Sequence, residues 1–271
     1  MISRISRLNV IYKAQLSLQL KRFIRYRISL VFWMLSMILS PIIFISVWSA
    51  VGGTQGSMIE GFTKGGFAAY YVIILFVNFI TFAWTMMYWE TLIRSGYLSY
   101  QLLRPVHVFH QDIAENLIYK LVTAPFIIVV AVILILTFSP TFHVQWWSAI
   151  AFVPTILLGY ILRFIFDLAV AMLAFWVPDN EGINALYSFA VTFLSGISAP
   201  LVLFPGWFQV LANFFPFRWA VEFPALLFTG HLTPEQMLQG ILFQCIWIIL
   251  GIGILSILWK RGLTRFAGVG L

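Results

Sequence analysis

The spacing of charge constrains this chain more than any other feature. Long stretches carry no Asp, Glu, Lys or Arg: Ile28–Ile59, Gly65–Trp89, Leu121–Leu162, Gly182–Phe217 and Gln236–Trp259, with the shorter Leu168–Pro178 among them. A helix rises 1.5 Å per residue, so about 20 apolar residues cross the roughly 30 Å of bilayer hydrocarbon. The 42-residue stretch from Leu121 to Leu162 is too long for one crossing and divides at the turn-like cluster Ser139-Pro140-Thr141. Only 9% of the 271 residues are charged and 62% are hydrophobic, against about 25% charged in a soluble domain. Charge this sparse cannot cover a water-facing surface of that size. The expected fold is therefore an all-α integral membrane protein, one transmembrane domain with helices at 30–50, 66–89, 117–138, 144–176, 183–199 and 234–259.

Lys and Arg then set the orientation. Arg4, Arg7, Lys13, Lys21, Arg22, Arg25 and Arg27 precede the first span; Arg94, Arg104 and Lys120 surround the second connection; Lys260, Arg261 and Arg265 follow the last span. The opposite side holds only Lys64 and Arg218. Both termini are expected in the cytoplasm, which an even number of spans requires. The net charge of +7 reads as an address for the inner face of a membrane and its lipids, not for nucleic acid. The apolar run after the basic start exceeds the 7–15 residues of a signal core and is expected to remain as the first span. Residues 1–29 form a cytoplasmic amphipathic segment, with Ile5, Tyr12, Leu16, Leu20 and Phe23 on one helical face and Arg4, Arg7, Arg22 and Arg25 opposite.

The 91–116 connection is the long cytoplasmic loop. Leu98, Leu102 and Val106 recur at four-residue spacing, flanked by Arg94 and Arg104, with Pro105 ending the short helix they predict. That stripe suits either a groove on another protein or the bilayer surface. The run Ile93-Arg94-Ser95-Gly96-Tyr97-Leu98 followed by Leu102-Leu103-Arg104-Pro105 resembles the loop of permeases from type-2 ABC exporters. Leu194–Leu201, Phe204-Pro205, Phe215–Arg218, Phe223-Pro224 and Gly230 are similar to that family's fifth helix and external hairpin, and Trp259–Gly262 to its closing segment. The resemblance implies a multi-pass permease of a bacterial inner (plasma) membrane, paired with a second permease, identical or paralogous. Two cytoplasmic ABC ATPase subunits would drive it, with ATP and Mg bound there and no cofactor in this chain. Arg94, Gly96, Leu98, Leu102, Arg104 and Pro105 are then the expected ATPase-coupling residues.

No phosphate-binding Gly-x-x-x-x-Gly-Lys-Ser/Thr loop occurs, no His-Glu-x-x-His, and no cysteine cluster beyond the single Cys245. No catalytic or metal site is expected; His107 and His110 lack a completing carboxylate. Arg163 and Asp167 sit four apart in the fourth span, where they can pair on one face, either as a structural ion pair or lining a substrate route. Pro200, Pro205, Pro216 and Pro224 preclude a long helix after Ala199, yet the segment is too apolar for an aqueous loop. The expectation is a re-entrant external hairpin over 200–233, with Pro205, Pro216 and Arg218 at a gate beside Arg163 and Asp167 in the pathway. Thr233, Pro234 and Gln236 form the start signal of the sixth helix. The substrate class implied is amphipathic, lipid-linked or polymeric. A non-transporting membrane scaffold and an ion-coupled carrier are the competing readings.

Overall fold

A computed structural model of the chain describes residues 59–104, 107–177 and 179–266, together with 41–48 and isolated positions between 12 and 50. The described residues are helical throughout their regular structure. In chain order the helices are α1 (Lys64–Thr81), α2 (Thr85–Arg94), α3 (Leu98–Leu102), α4 (Phe109–Phe138) and α5 (Trp146–Ala171). There follow α6 (Glu181–Leu194), α7 (Gly206–Asn213), α8 (Pro216–Ala220), α9 (Glu222–Phe228) and α10 (Pro234–Arg265). Tight 3-10 turns extend α5 over Met172–Phe175 and open the hairpin at Leu201–Leu203. The amphipathic segment 1–29 and most of the first expected span, Leu30–Ala50, lie outside the described residues, although 41–48 is helical.

Among the described residues, four units are long and apolar enough to cross a membrane: Lys64–Arg94, Phe109–Phe138, Trp146–Phe175 and Pro234–Arg265. They overlap the second, third, fourth and sixth expected spans; Trp146–Phe175 lies within the expected 144–176, and the other three run past the expected bounds. The expected fifth span, 183–199, is shorter as a helix: α6 has 14 residues and stops at Leu194. At 1.5 Å per residue that is about 21 Å, less than the hydrocarbon thickness. Gly196 is the reason the helix cannot continue. Its φ of +80° is left-handed, and a Cβ there would stand 2.6 Å from the Tyr70 hydroxyl.

Contacts between helix ends show how the spans alternate. At one end Thr141 N–H donates to the Gly65 carbonyl at 3.0 Å, and the His231 ring stacks on Phe62 with centroids 4.5 Å apart. At the other, Trp89, Phe109, Phe175 and Trp259 form one aromatic cluster, with Trp89 and Trp259 edge-to-face at 5.6 Å. We call these the hairpin end and the loop end. The α1–α2 unit, α5 and α10 run from hairpin end to loop end, and α4 runs back. Tyr12, one of the described N-terminal positions, places its hydroxyl 2.9 Å from His110 Nδ1 at the loop end.

Burial follows from this arrangement. α1 sits at the centre, with Phe67, Tyr70, Tyr71 and Val77 all enclosed. α4 and α10 instead present apolar side chains outward, Leu121, Leu136, Leu238 and Ile249 among them. Such faces are stable only against lipid tails or another apolar helix. α10 begins as its sequence requires: Thr233 accepts from Gln236 N–H at 3.3 Å while Gln236 Oε1 accepts from Thr233 N–H at 2.9 Å. Inside the bundle, Gln244 of α10 donates to the Thr155 carbonyl at 3.0 Å and the Trp219 carbonyl at 2.9 Å, tying α10 to both α5 and α8.

The hairpin end carries a pH dependence. Burial and the neighbouring His143 hold His231 below its ordinary value of 6.5. Between that value and the lower folded one, the unfolded chain binds a proton that the folded chain does not. Stability present above about pH 6.5 is therefore lost as pH falls through that window. Thermal unfolding in detergent at stepped pH should show the decline, and His231→Phe, which keeps the stack on Phe62, should flatten it.

Candidate functional site

The second span is broken. α1 ends at Thr81, Phe82 takes an extended conformation (φ −64°, ψ 140°), and α2 restarts at Thr85. A break in a membrane helix leaves carbonyls that water cannot satisfy, so protein groups must do so. Two cations perform this task. Lys120 of α4 donates from Nζ to the Phe82 carbonyl at 2.7 Å and to that of Phe79 at 3.5 Å. Arg163 of α5 donates from Nη1 to Asn78 Oδ1 at 2.6 Å and Thr81 Oγ1 at 3.2 Å, with its guanidinium 5.4 Å from the Phe82 ring centre. Both charges thus stand at the C-terminal, partially negative end of α1, where a helix dipole favours cations.

Beside the break lies a cavity of about 400 Å³. Its apolar wall includes Phe44, Ile74, Phe79, Phe82 and Met86, and its polar side holds Asn78, Arg163, Asp167, Tyr187, Ser188 and Thr192. The expected ion pair between Arg163 and Asp167 is not formed. Arg163 is taken by Asn78 and Thr81 on the neighbouring helix, and Asp167 Oδ1 accepts the Tyr187 hydroxyl of α6 at 2.7 Å. The i, i+4 spacing puts both groups on one face, and better-placed partners on α1 and α6 then separate them. Arg163 lies 17 residues into α5, about 26 Å from its hairpin end, so the polar side faces the half of the bundle nearer the loop end.

At the hairpin end, the turn after α6 is held by side chains from three directions. Tyr70 and Tyr71 donate to the carbonyls of Gly196 and Ser198, each at 2.8 Å, and Trp48 Nε1 donates to Ser198 O at 3.1 Å. Glu222, 1% exposed, accepts Leu201 N–H at 2.6 Å and pairs with Arg218 at 3.0 Å. Arg218 also donates to Asn213. Pro205 and Pro216 start α7 and α8, where a proline costs no hydrogen bond. The proline-rich segment is thus three short helices with their breaks satisfied by protein.

At the loop end, Gly96 has φ +70° and turns the chain from α2 into α3. Here the sequence pattern pointed the wrong way. Leu98 is fully enclosed among Trp89, Val108, Phe164, Leu168 and Met172. The outward face is Tyr97, Tyr100, Leu102 and Leu103, with Leu103 84% exposed and Arg104 standing 4.9 Å over the Tyr100 ring. Arg94 pairs with Glu90 at 3.4 Å, and Glu90 in turn accepts from Asn184 of α6 at 3.1 Å. Pro105 lies outside the described residues. Under α3, Trp89 donates to the buried Asp112 of α4.

A family model described as ABC-2 family transporter protein matches residues 35–270. The chain belongs to that family. No curated protein and no solved structure matches it. As a member of the ABC-2 family, this multi-pass membrane protein is a transport permease, in a family whose members normally work with ATPase partner subunits.

Sequence reasoning had passed over several residues that organise the ABC-2 protein. Lys120 counts in the sequence only as a cytoplasmic-side charge near the start of the third span, and nothing in the sequence singles out Tyr187 or Glu222. One signal was available for Asn78: it is the single amide in the charge-free stretch Gly65–Trp89.

Proposed function

We propose that this ABC-2 family protein is the membrane-spanning permease subunit of an ATP-driven exporter. It forms half of a route for an amphipathic, lipid-linked or polymeric substrate, and a second permease, identical or paralogous, supplies the other half. The cavity between α1, α5 and α6 is the inner part of that route, and the segment from Pro205 to Glu222 is its outer gate. The loop end faces the cytoplasm, where a separate ATPase dimer binds ATP and Mg.

One observation carries this reading: α3 is a short two-sided helix. Leu98 plugs one side into the aromatic cluster shared with α5 and α10, and Tyr97, Tyr100, Leu103 and Arg104 stand free on the other. Aromatic and Arg side chains on an exposed apolar patch are the residue types that dominate protein interfaces. A push on that face moves Leu98 and, through Trp89 and Trp259, the ends of α5 and α10. The exposed residues are thereby joined to the helices around the cavity.

The test is purification from native membranes. The tagged protein should bring an ATP-hydrolysing subunit with it. The double variant Tyr100→Asp/Leu103→Asp should retain about a tenth or less of that subunit, since interface anchors cost 2 kcal/mol or more when lost. Undiminished recovery of ATPase by the double variant would overturn the docking face, and no ATPase with the unsubstituted protein would overturn the exporter.

A further inference from the structure

The polar side of the cavity contains two opposite charges with bonding capacity left over. Both hydrogen bonds of the Arg163 guanidinium leave from Nη1. Within the described residues its Nε is buried with no partner, and no bond reaches Nη2. Asp167 uses Oδ1 for Tyr187, and no bond within the described residues reaches its Oδ2. The two side chains line the same cavity on one helix face without pairing with each other. Unpaired opposite charges in a low-dielectric setting are costly unless something else completes them.

From this we infer that the cavity is a binding site for a zwitterionic amphiphile. An anionic oxygen of the headgroup, phosphate or carboxylate, sits on the Arg163 guanidinium, and an adjacent ammonium N–H group donates to the free oxygen of Asp167. Ser188 and Thr192 lie on the same polar side. The acyl chain runs along the opposite wall, over Ile74, Leu75, Phe79 and Ile127. A group with only a negative charge leaves Asp167 unmatched and repelled. A group with only hydroxyls can bond to both atoms but brings no opposite charge to either, so it forgoes the ion-pair part of the interaction. The size also fits: about 400 Å³ falls within the range of small-ligand pockets, room for a small headgroup and the first part of a chain.

The inference deepens the proposed route by naming what enters it, but binding itself requires no ATPase. The full-length protein in detergent is therefore presented with three single-chain probes of equal tail length. These are lysophosphatidylethanolamine (zwitterionic), lysophosphatidylglycerol (anionic) and monoacylglycerol (neutral), with occupancy read by native mass spectrometry. The zwitterionic probe should bind about tenfold or more tighter than either other probe, the ratio that charge-assisted hydrogen bonds supply. Asp167→Asn should erase its advantage over the anionic probe, and Arg163→Gln its advantage over the neutral one. The probe series on the unsubstituted protein decides the question even where a variant fails to fold. Ile74→Trp, which fills the apolar wall and leaves the charges, should weaken all three probes together. Equal binding of all three, or preference for the anionic one, overturns the inference while leaving ATPase recruitment, and hence the exporter reading, untouched. Selective binding of the zwitterion without any recruited ATPase would do the reverse.

Discussion

Leu98→Asp should yield almost no folded protein, while Leu103→Asp, five residues on, should leave the thermal midpoint unchanged. The two leucines belong to the same loop and the same sequence motif, yet one is 0% exposed and the other 84%. Removing Leu98 from its pocket forfeits about 2–3 kcal/mol of apolar burial. Placing a carboxylate there, among the apolar side chains of Trp89, Val108, Phe164 and Met172, adds several kcal/mol more for burying it without a hydrogen-bonding or charged partner in that cluster. Leu98→Ala makes the milder case and should cost about 2–5 kcal/mol, depending on how far the aromatic cluster closes over the gap. Fluorescence-detected size-exclusion after a temperature ramp separates the three outcomes. A folded Leu98→Asp protein that lacks ATPase would mean that Leu98 faces outward in the assembly and that the enclosed position is wrong. Without the split, an aspartate scan of this loop would confuse unfolding with loss of docking.

How much of this was legible in the sequence depends on whether the governing rule is local. The start of α10 could be read in full, since Thr233, Pro234 and Gln236 act on one another within a single turn. The four long spans were legible because apolar length is enough to require lipid. The break at Phe82–Trp84 was not, for no proline or glycine lies between Thr81 and Thr85. Lys120 and Arg163 stabilise it from other helices, and sequence spacing carries no such information. The leucine stripe failed differently. Spacing of four says that Leu98 and Leu102 share a side of a helix, but not whether that side faces in. On so short a helix, Leu98 points into the cluster and Leu102 already lies on its margin, 41% exposed. The pair Arg163 and Asp167 stands out in the sequence for its charge in an apolar helix, which leaves a structural pair and a lining role both open. Its partners, Asn78 and Tyr187, became visible only with α1 and α6 in place. The hairpin's prolines excluded a long helix, yet they gave no hint that Tyr70 and Tyr71, more than a hundred residues earlier, hold its first turn.

That first turn is also where a single substitution should do the greatest damage away from the loop. Glu222→Ala should lower stability by about 3–5 kcal/mol, the range for removing one partner of a buried ion pair. Three groups depend on this carboxylate. Leu201 N–H loses the one acceptor it has among the described residues, Arg218 keeps its charge without its carboxylate, and the close packing of Glu222 on Gly196 opens a gap. The double variant Arg218→Met/Glu222→Leu distinguishes these contributions. An apolar pair of similar volume removes the stranded charge, and such exchanges are often neutral or better. The Leu201 amide stays unpaired in both variants, which by itself costs about 1–3 kcal/mol. The double variant should therefore recover part of the lost stability and not all of it. Full recovery would show that the bond to Leu201 contributes nothing. No recovery would show that Arg218 is satisfied by Asn213 alone and that the ion pair is incidental. Transport assays on the partially restored double variant then address the gate. A protein that folds but leaks substrate, or fails to release it, would place the Arg218–Glu222 pair in the opening step; unaltered transport would confine it to structure.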